Sequence, residues 1–149
     1  MVRVQEAPFD PGAELAALTR GRTDIGAVAS FVGLVRDVAG DQAISAMTLE
    51  HYAGMTENKL AEIEAEANRR WRLQASLIVH RYGRMLPGEP IVLVATASQH
   101  RAAALEACAF LIDWLKTKAP FWKLEESPGG SRWVEARSSD DEAAARWGI

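Results

Sequence analysis

Hydrophobic and polar positions change period several times along the chain, and each change predicts an element. Val2-Arg3-Val4-Gln5 alternates and predicts a short strand. Asp10-Pro11-Gly12 predicts a helix start, with Asp10 as N-cap and Pro11 at the first helical position. That helix runs through Leu15 and Leu18 to a stop at Gly21. Residues 25–35 (IGAVASFVGLV) are rich in β-branched side chains and read as a strand, with Gly26 and Gly33 marking close backbone approach or a bulge. After a polar loop at 38–43, residues 44–52 alternate as another strand, and the two strands are expected to pair as a long hairpin. Leu60, Ile63, Ala67 and Trp71 follow a 3-4-4 spacing and predict an amphipathic helix over 56–71.

Strands are next expected at 75–82 and 91–97 around a turn at 83–90. Ser98 is a candidate cap for a helix over 100–118, with Leu105, Cys108, Ile112 and Leu115 as its buried stripe. Residues 121–125 and 132–136 flank Ser127-Pro128-Gly129-Gly130 as a last hairpin, and the tail 138–149 is acidic, then helical. Strands joined by tight turns, with interspersed helices, imply an α+β class with a mostly antiparallel sheet and two main helices.

Composition narrows the function classes. The length, 149 residues, fits a single domain over 1–149, and 48% apolar with 25% charged residues is ordinary globular composition. A net charge of −3 argues against a nucleic-acid binder. One cysteine, Cys108, and three histidines exclude a disulfide framework and leave no expected metal site. Residues 1–10 lack the apolar region of a signal peptide, and no apolar run approaches the ~20 residues of a membrane span, so a cytoplasmic location is expected.

The chemistry concentrates in Leu115-Lys116-Thr117-Lys118-Ala119-Pro120-Phe121-Trp122-Lys123, where a helix is broken by proline and resumes as an aromatic strand. Lys116 and Lys123 flank the break. They frame a pocket for an anionic ligand, or they simply complement a helix C-terminus. Trp122, beside Lys123, is a candidate pocket wall. His100-Arg101 opens a helix N-terminus, where free N–H groups, the dipole and an Arg fork suit a phosphate, or where two polar side chains are merely solvated. Arg101 and Lys116 are fifteen residues apart on one helix, roughly 22 Å. They therefore belong to two sites, or to one site composed across two copies of the chain. Arg36 ends the strand at 25–35 and suits phosphate, or pairs with Asp37 at the surface. Structural roles are the expectation for Glu50, His51 and Tyr52, for His80-Arg81 and for Cys108.

Six blocks together resemble one family: GAVASFVGLVRD (26–37), LEHYAGM (49–55), RWRL (70–73), HRYGRMLPGE (80–89), SQHRAAALEACAFLIDWLKTKAPFWK (98–123) and RWVEAR (132–137). Their order and spacing are similar to the large, catalytic subunits of molybdopterin synthases over about residues 25–137. The resemblance implies an α/β-hammerhead type of α+β fold. It also implies sulfur transfer that converts cyclic pyranopterin monophosphate to molybdopterin, with no cofactor. The sulfur would come from the C-terminal Gly-Gly thiocarboxylate of a small ubiquitin-like subunit, and two large subunits would form the homodimeric core of a heterotetramer. Lys116 matches the family's essential lysine and Lys123 its second active-site lysine, with Leu124 and Glu125 beside it. Arg36, with Leu34 and Val35 before it, matches the substrate pocket, and His100-Arg101 matches a substrate-binding pair. Leu34 departs from the family, where relatives often carry a polar or basic residue, which leaves its backbone as the contact. The competing class is a non-catalytic dimeric scaffold for a ubiquitin-like partner or a phosphorylated ligand. A ferredoxin-like RNA binder is disfavoured by the acidic balance and the absence of an aromatic RNP-type strand.

Overall fold

In the computed structural model, which describes residues 1–134 and 138–148, strand β8 (Pro90–Ser98) is buried continuously from Val92 to Ser98. A strand apolar along both faces needs cover on both sides. In its sheet the order is β1 (Val2–Gln5), β6 (Ala75–Arg81), β8, β2 (Ala27–Leu34), with β1 parallel to β6 and the other pairs antiparallel. One face packs Ala29, Ile78, Val92 and Val94 beneath two long helices, α2 (Met55–Arg70) and α3 (Arg101–Lys118). The other face packs Leu77, Val79, Leu93 and Ala95 against Phe9 and against Leu15 and Leu18 of α1 (Pro11–Thr19). Asp10 caps α1 as expected, its Oδ1 accepting from the N–H groups of Gly12 and Ala13.

A second sheet has the order β10 (Gly130–Val134), β9 (Phe121–Ser127), β5 (Ala46–His51), β7 (Gly83–Met85), all antiparallel. A small hairpin of β3 (Val38–Ala39) and β4 (Gln42–Ala43) links the sheets in sequence. Helix α4 (Ser138–Ala145) packs on α3, and Arg146 and the Trp147 indole both donate to Asp113. The α+β class, mostly antiparallel with two main helices, is therefore the observed one. No helix among the described residues is long and apolar enough to cross a membrane.

Several expectations give way, beginning with the polar loop at 38–43, which pairs as the β3–β4 hairpin. The long hairpin of 25–35 with 44–52 does not form: β2 pairs with β8, and β5 pairs with β9 and β7. The doubly buried β8 needs neighbours on both edges, and that demand overrides sequence adjacency. Residues 83–85 are not plain turn but the edge strand β7. Ser98 does not cap α3; it ends β8, and its hydroxyl donates to the Arg72 carbonyl at 2.8 Å, while His100 holds the N-cap position without a side-chain cap. Leu105 is 60% exposed. The stripe runs through Ala104, Cys108, Leu111 and Leu115 instead, because Leu105 lies about 100° round the helix from Ala104. The last hairpin has its strands at 121–127 and 130–134, and the expected continuation to 136 lies outside the described residues.

Gly26 tests how tightly β2 starts. A methyl group there would lie 2.0 Å from the Gln99 carbonyl oxygen, which is fixed backbone. The Gly26 N–H donates to Ser98 at 2.9 Å, so the strand cannot simply move away. Gly26→Ala is expected to cost about 2 kcal/mol or more, read as a lower urea midpoint.

Candidate functional site

Three strand and helix ends converge where the two sheets meet. At the end of β2 the register slips between Gly33 and Leu34, a bulge that turns the chain out of the sheet. Gly33 is needed there, since a Cβ would sit 2.8 Å from a Val92 methyl. Val35 is then held by two backbone bonds, its N–H to Glu89 at 3.0 Å and its carbonyl from Gly88 at 2.7 Å. Arg36 follows, exposed.

The second end is that of α3. Pro120 cannot extend a helix and biases its predecessor to extended backbone. Ala119 accordingly sits at φ −75°, ψ 132°. The last turn is closed by Ala119 N–H to Leu115 at 3.2 Å and by the Thr117 hydroxyl to Asp113 at 2.7 Å. Leu115 is buried, which points the adjacent Lys116 outward from a fixed base.

The third element is β9. Its period-2 alternation puts Phe121, Lys123 and Glu125 on the inner face, and Trp122 and Leu124 on the outer one. A cavity of about 500 Å³ results, walled by Leu34, Val35, Arg36, Lys116, Lys123 and Glu125 among others. Most of the residues singled out by sequence are thus brought together. Leu124 and Trp122 do not line the cavity: Leu124 is paired across the sheet with Thr48 and Trp133, and Trp122 stacks edge-on with Tyr52 at 4.5 Å. His100 and Arg101 stand exposed at the far end of α3 and do not enter it within one chain.

The cavity also contains residues that sequence reading passed over. Arg132 on β10 lies directly across from Glu125, and His80 at the end of β6 forms part of the wall. The hairpin centred on Pro128-Gly129 pairs 125 with 132, so Arg132 was recoverable from the turn. Nothing local marks His80; its burial follows from the meeting of two sheets. Glu125 is buried, with Lys123 4.0 Å from Oε2 and Arg132 3.9 Å from Oε1. Among the described residues the walls therefore carry four cations, Arg36, Lys116, Lys123 and Arg132, against the carboxylates of Glu125 and Asp140. That balance suits an anionic ligand.

His80 stacks on Phe121 with ring centroids 3.8 Å apart, and its Nδ1 lies 2.9 Å from the Arg81 carbonyl. Burial pushes its pKa down to about 3; the Arg81 carbonyl opposes that, while the charges of Lys116 and His51 add to it. The imidazole is thus neutral, with Nδ1–H donating to Arg81. Because the folded pKa lies below the unfolded value, the unfolded chain binds the extra proton between these limits, and stability falls as pH drops through that window. Native His80 is expected to cost about 2 kcal/mol of stability between pH 7 and pH 5. The difference in urea stability between those pH values should shrink by that amount in His80→Gln. An unchanged difference would mean that His80 is not buried neutral.

Among the described residues no cluster of three or more His, Cys, Asp or Glu is placed to hold a metal. Cys108 is inert packing: burial raises its thiol pKa to about 11.

Similarity to known proteins agrees with this geometry. The MoaE protein family matches residues 4–118. The chain is 56% identical over 148 residues to the molybdopterin synthase catalytic subunit of Ralstonia nicotianae, covering 99% of this chain and 84% of that one. Among solved structures it resembles the molybdopterin biosynthesis MoaE protein of Burkholderia ambifaria, with TM-score 0.85, 54% identity, and coverage of 100% and 98% of the two chains. It also resembles molybdopterin synthase of Staphylococcus aureus, with TM-score 0.83, 31% identity, and coverage of 89% and 96%. With its bulged strand end, its proline-broken helix and its cationic cavity all lying on a chain matched nearly end to end, the protein belongs to the MoaE family.

Proposed function

We propose that this chain is the catalytic subunit of a molybdopterin synthase, a sulfurtransferase of molybdenum cofactor biosynthesis. The observation that carries the reading is the single cavity gathering Arg36, Lys116 and Lys123 from three separate elements in a member of this family. Its substrate is cyclic pyranopterin monophosphate, and its sulfur donor is a small ubiquitin-like subunit ending in a Gly-Gly thiocarboxylate. A Gly-Gly tail suits a narrow channel because it has no side chains to exclude.

Arg36 holds the phosphate from the bulged end of β2. His100 and Arg101 of a second copy complete that grip, since about 22 Å of helix separates them from Lys116 within one chain. Lys116 polarises the thiocarboxylate and moves protons as sulfur reaches the pterin side chain. Lys123 stabilises developing negative charge, with Glu125 beside it. Leu34 and Val35 at the end of β2 and Leu124 on β9 contribute through backbone and packing. The chain acts as one domain, as half of a homodimeric core, in the cytoplasm, with no cofactor of its own.

The test is a defined mixture of this protein, a thiocarboxylated ubiquitin-like partner and cyclic pyranopterin monophosphate. Dithiolene product, with the partner tail converted to carboxylate, is the expected result. A stable complex that yields no product would move the assignment to a scaffold.

A further inference from the structure

Glu125 is held in an unusual way for a buried carboxylate. Its side chain is 9% exposed, yet neither neighbouring cation closes on it: Lys123 stands 4.0 Å from one oxygen and Arg132 3.9 Å from the other. Oε1, the oxygen facing Arg132, has no hydrogen-bond partner among the described residues. Leaving a buried carboxylate oxygen unsatisfied is costly, so the arrangement is poised to close on one side or the other. The two cations are not equivalent. Arg132 sits directly opposite Glu125 on the adjacent strand, on the same face, and its guanidinium offers a planar fork that an ammonium lacks. A closure of roughly 1 Å brings it to ordinary hydrogen-bond length. Its side chain is 64% exposed and free to make that movement, whereas Lys123 is 37% exposed.

We propose that Arg132 is a positioning residue of the sulfur-transfer site, drawing the Glu125 carboxylate to itself so that the Lys123 ammonium is left for the ligand. The inference rests on the sulfur-transfer reading and adds to it a residue outside the set read from the sequence. Without Arg132, Lys123 is the one ion-pair cation left beside Glu125 among the described residues. The lysine is then neutralised and held back against β9 at the moment when negative charge develops in the cavity. The loss appears in the transition state rather than in ground-state binding, so kcat should fall while KM stays near its value.

The experiment is a double-mutant cycle in the reconstituted reaction, using thiocarboxylated partner and cyclic pyranopterin monophosphate. Arg132→Ala is expected to lower kcat about tenfold with KM within about twofold, and Arg132→Lys to recover to within about threefold of wild type. In a Glu125→Gln background, where nothing charged remains to be drawn away, Arg132→Ala should change kcat less than about twofold. An equal loss in both backgrounds would overturn the proposal, because Arg132 would then act independently of Glu125. An unchanged kcat in Arg132→Ala beside an active wild type overturns it too. Product absent from wild type overturns the sulfur-transfer reading, and this inference with it. Should Arg132→Ala fail to fold, Arg132→Gln and Arg132→Lys carry the same comparison.

Discussion

Lys116→Ala is expected to lower turnover in the reconstituted reaction by about a hundredfold or more, the scale of a lost proton-transfer or charge-stabilising group. Partner binding should be nearly unchanged. The separation of the two effects follows from where the side chain is anchored. Leu115 and the Ala119 cap fix the backbone of the last turn of α3, and neither depends on the Lys116 side chain. Lys116 is exposed toward the cavity, so its removal leaves no hole in the core. The expected stability change is that of a cation lost from a helix C-terminus, about 0.3–1 kcal/mol. Single-turnover product formation and calorimetric titration of the partner check the two halves separately. Equal turnover in mutant and wild type would remove Lys116 from the mechanism.

Phe110→Ala should produce the largest loss of stability, about 3–5 kcal/mol. Phe110 is fully buried in the middle of α3 and is the ring on which several elements meet. Trp71 at the end of α2 packs edge-on at 5.2 Å, Trp114 of α3 lies at 5.1 Å, and Trp147 from the tail lies at 5.6 Å. The Arg70 guanidinium covers the same ring at 4.8 Å. Truncation removes contacts to all of them and opens a void that rigid indoles cannot fill. For a chain of this size the melting temperature should fall by about 10 °C. Leu105→Ala, on the same helix, should be almost neutral, because that leucine is 60% exposed. Comparable losses from the two substitutions would mean that the helix is rotated from the orientation described.

The outcome for Leu105 shows what sequence can and cannot reveal here. Period and propensity placed the longer strands and the helices to within about two residues, since Asp10-Pro11, the 3-4-4 spacing before Trp71 and the break at Pro120 are local signals, while the short strands β3, β4 and β7 went unread. Pairing is not local. The hairpin expected between 25–35 and 44–52 failed because β2 and β5 belong to different sheets, a choice decided by the doubly buried β8. The candidate site divides along the same line. Arg36, Lys116 and Lys123 were readable because each sits at a strand end or beside the helix break, whereas Glu125 entered only through the family resemblance. His80 was not readable, because its place in the cavity wall depends on Phe121, forty-one residues away, arriving to stack on it. The helix axis was equally informative in the other direction: its length alone kept His100 and Arg101 out of a cavity they cannot reach within one chain.

The cavity walls also have a mechanical meaning. Arg36 hangs from the sheet built on β8, and Lys116 from the helix packed on it, whereas Lys123, Glu125 and Arg132 belong to the other sheet. Between Lys118 and Phe121 only Ala119 and Pro120 join the two halves at this point. An anionic ligand gripped from both sides therefore works as a clasp, tying together two plates that meet along a seam. Occupancy would be felt as stiffening along that seam, with slower amide exchange along β5 and β9 extending past the residues that line the cavity.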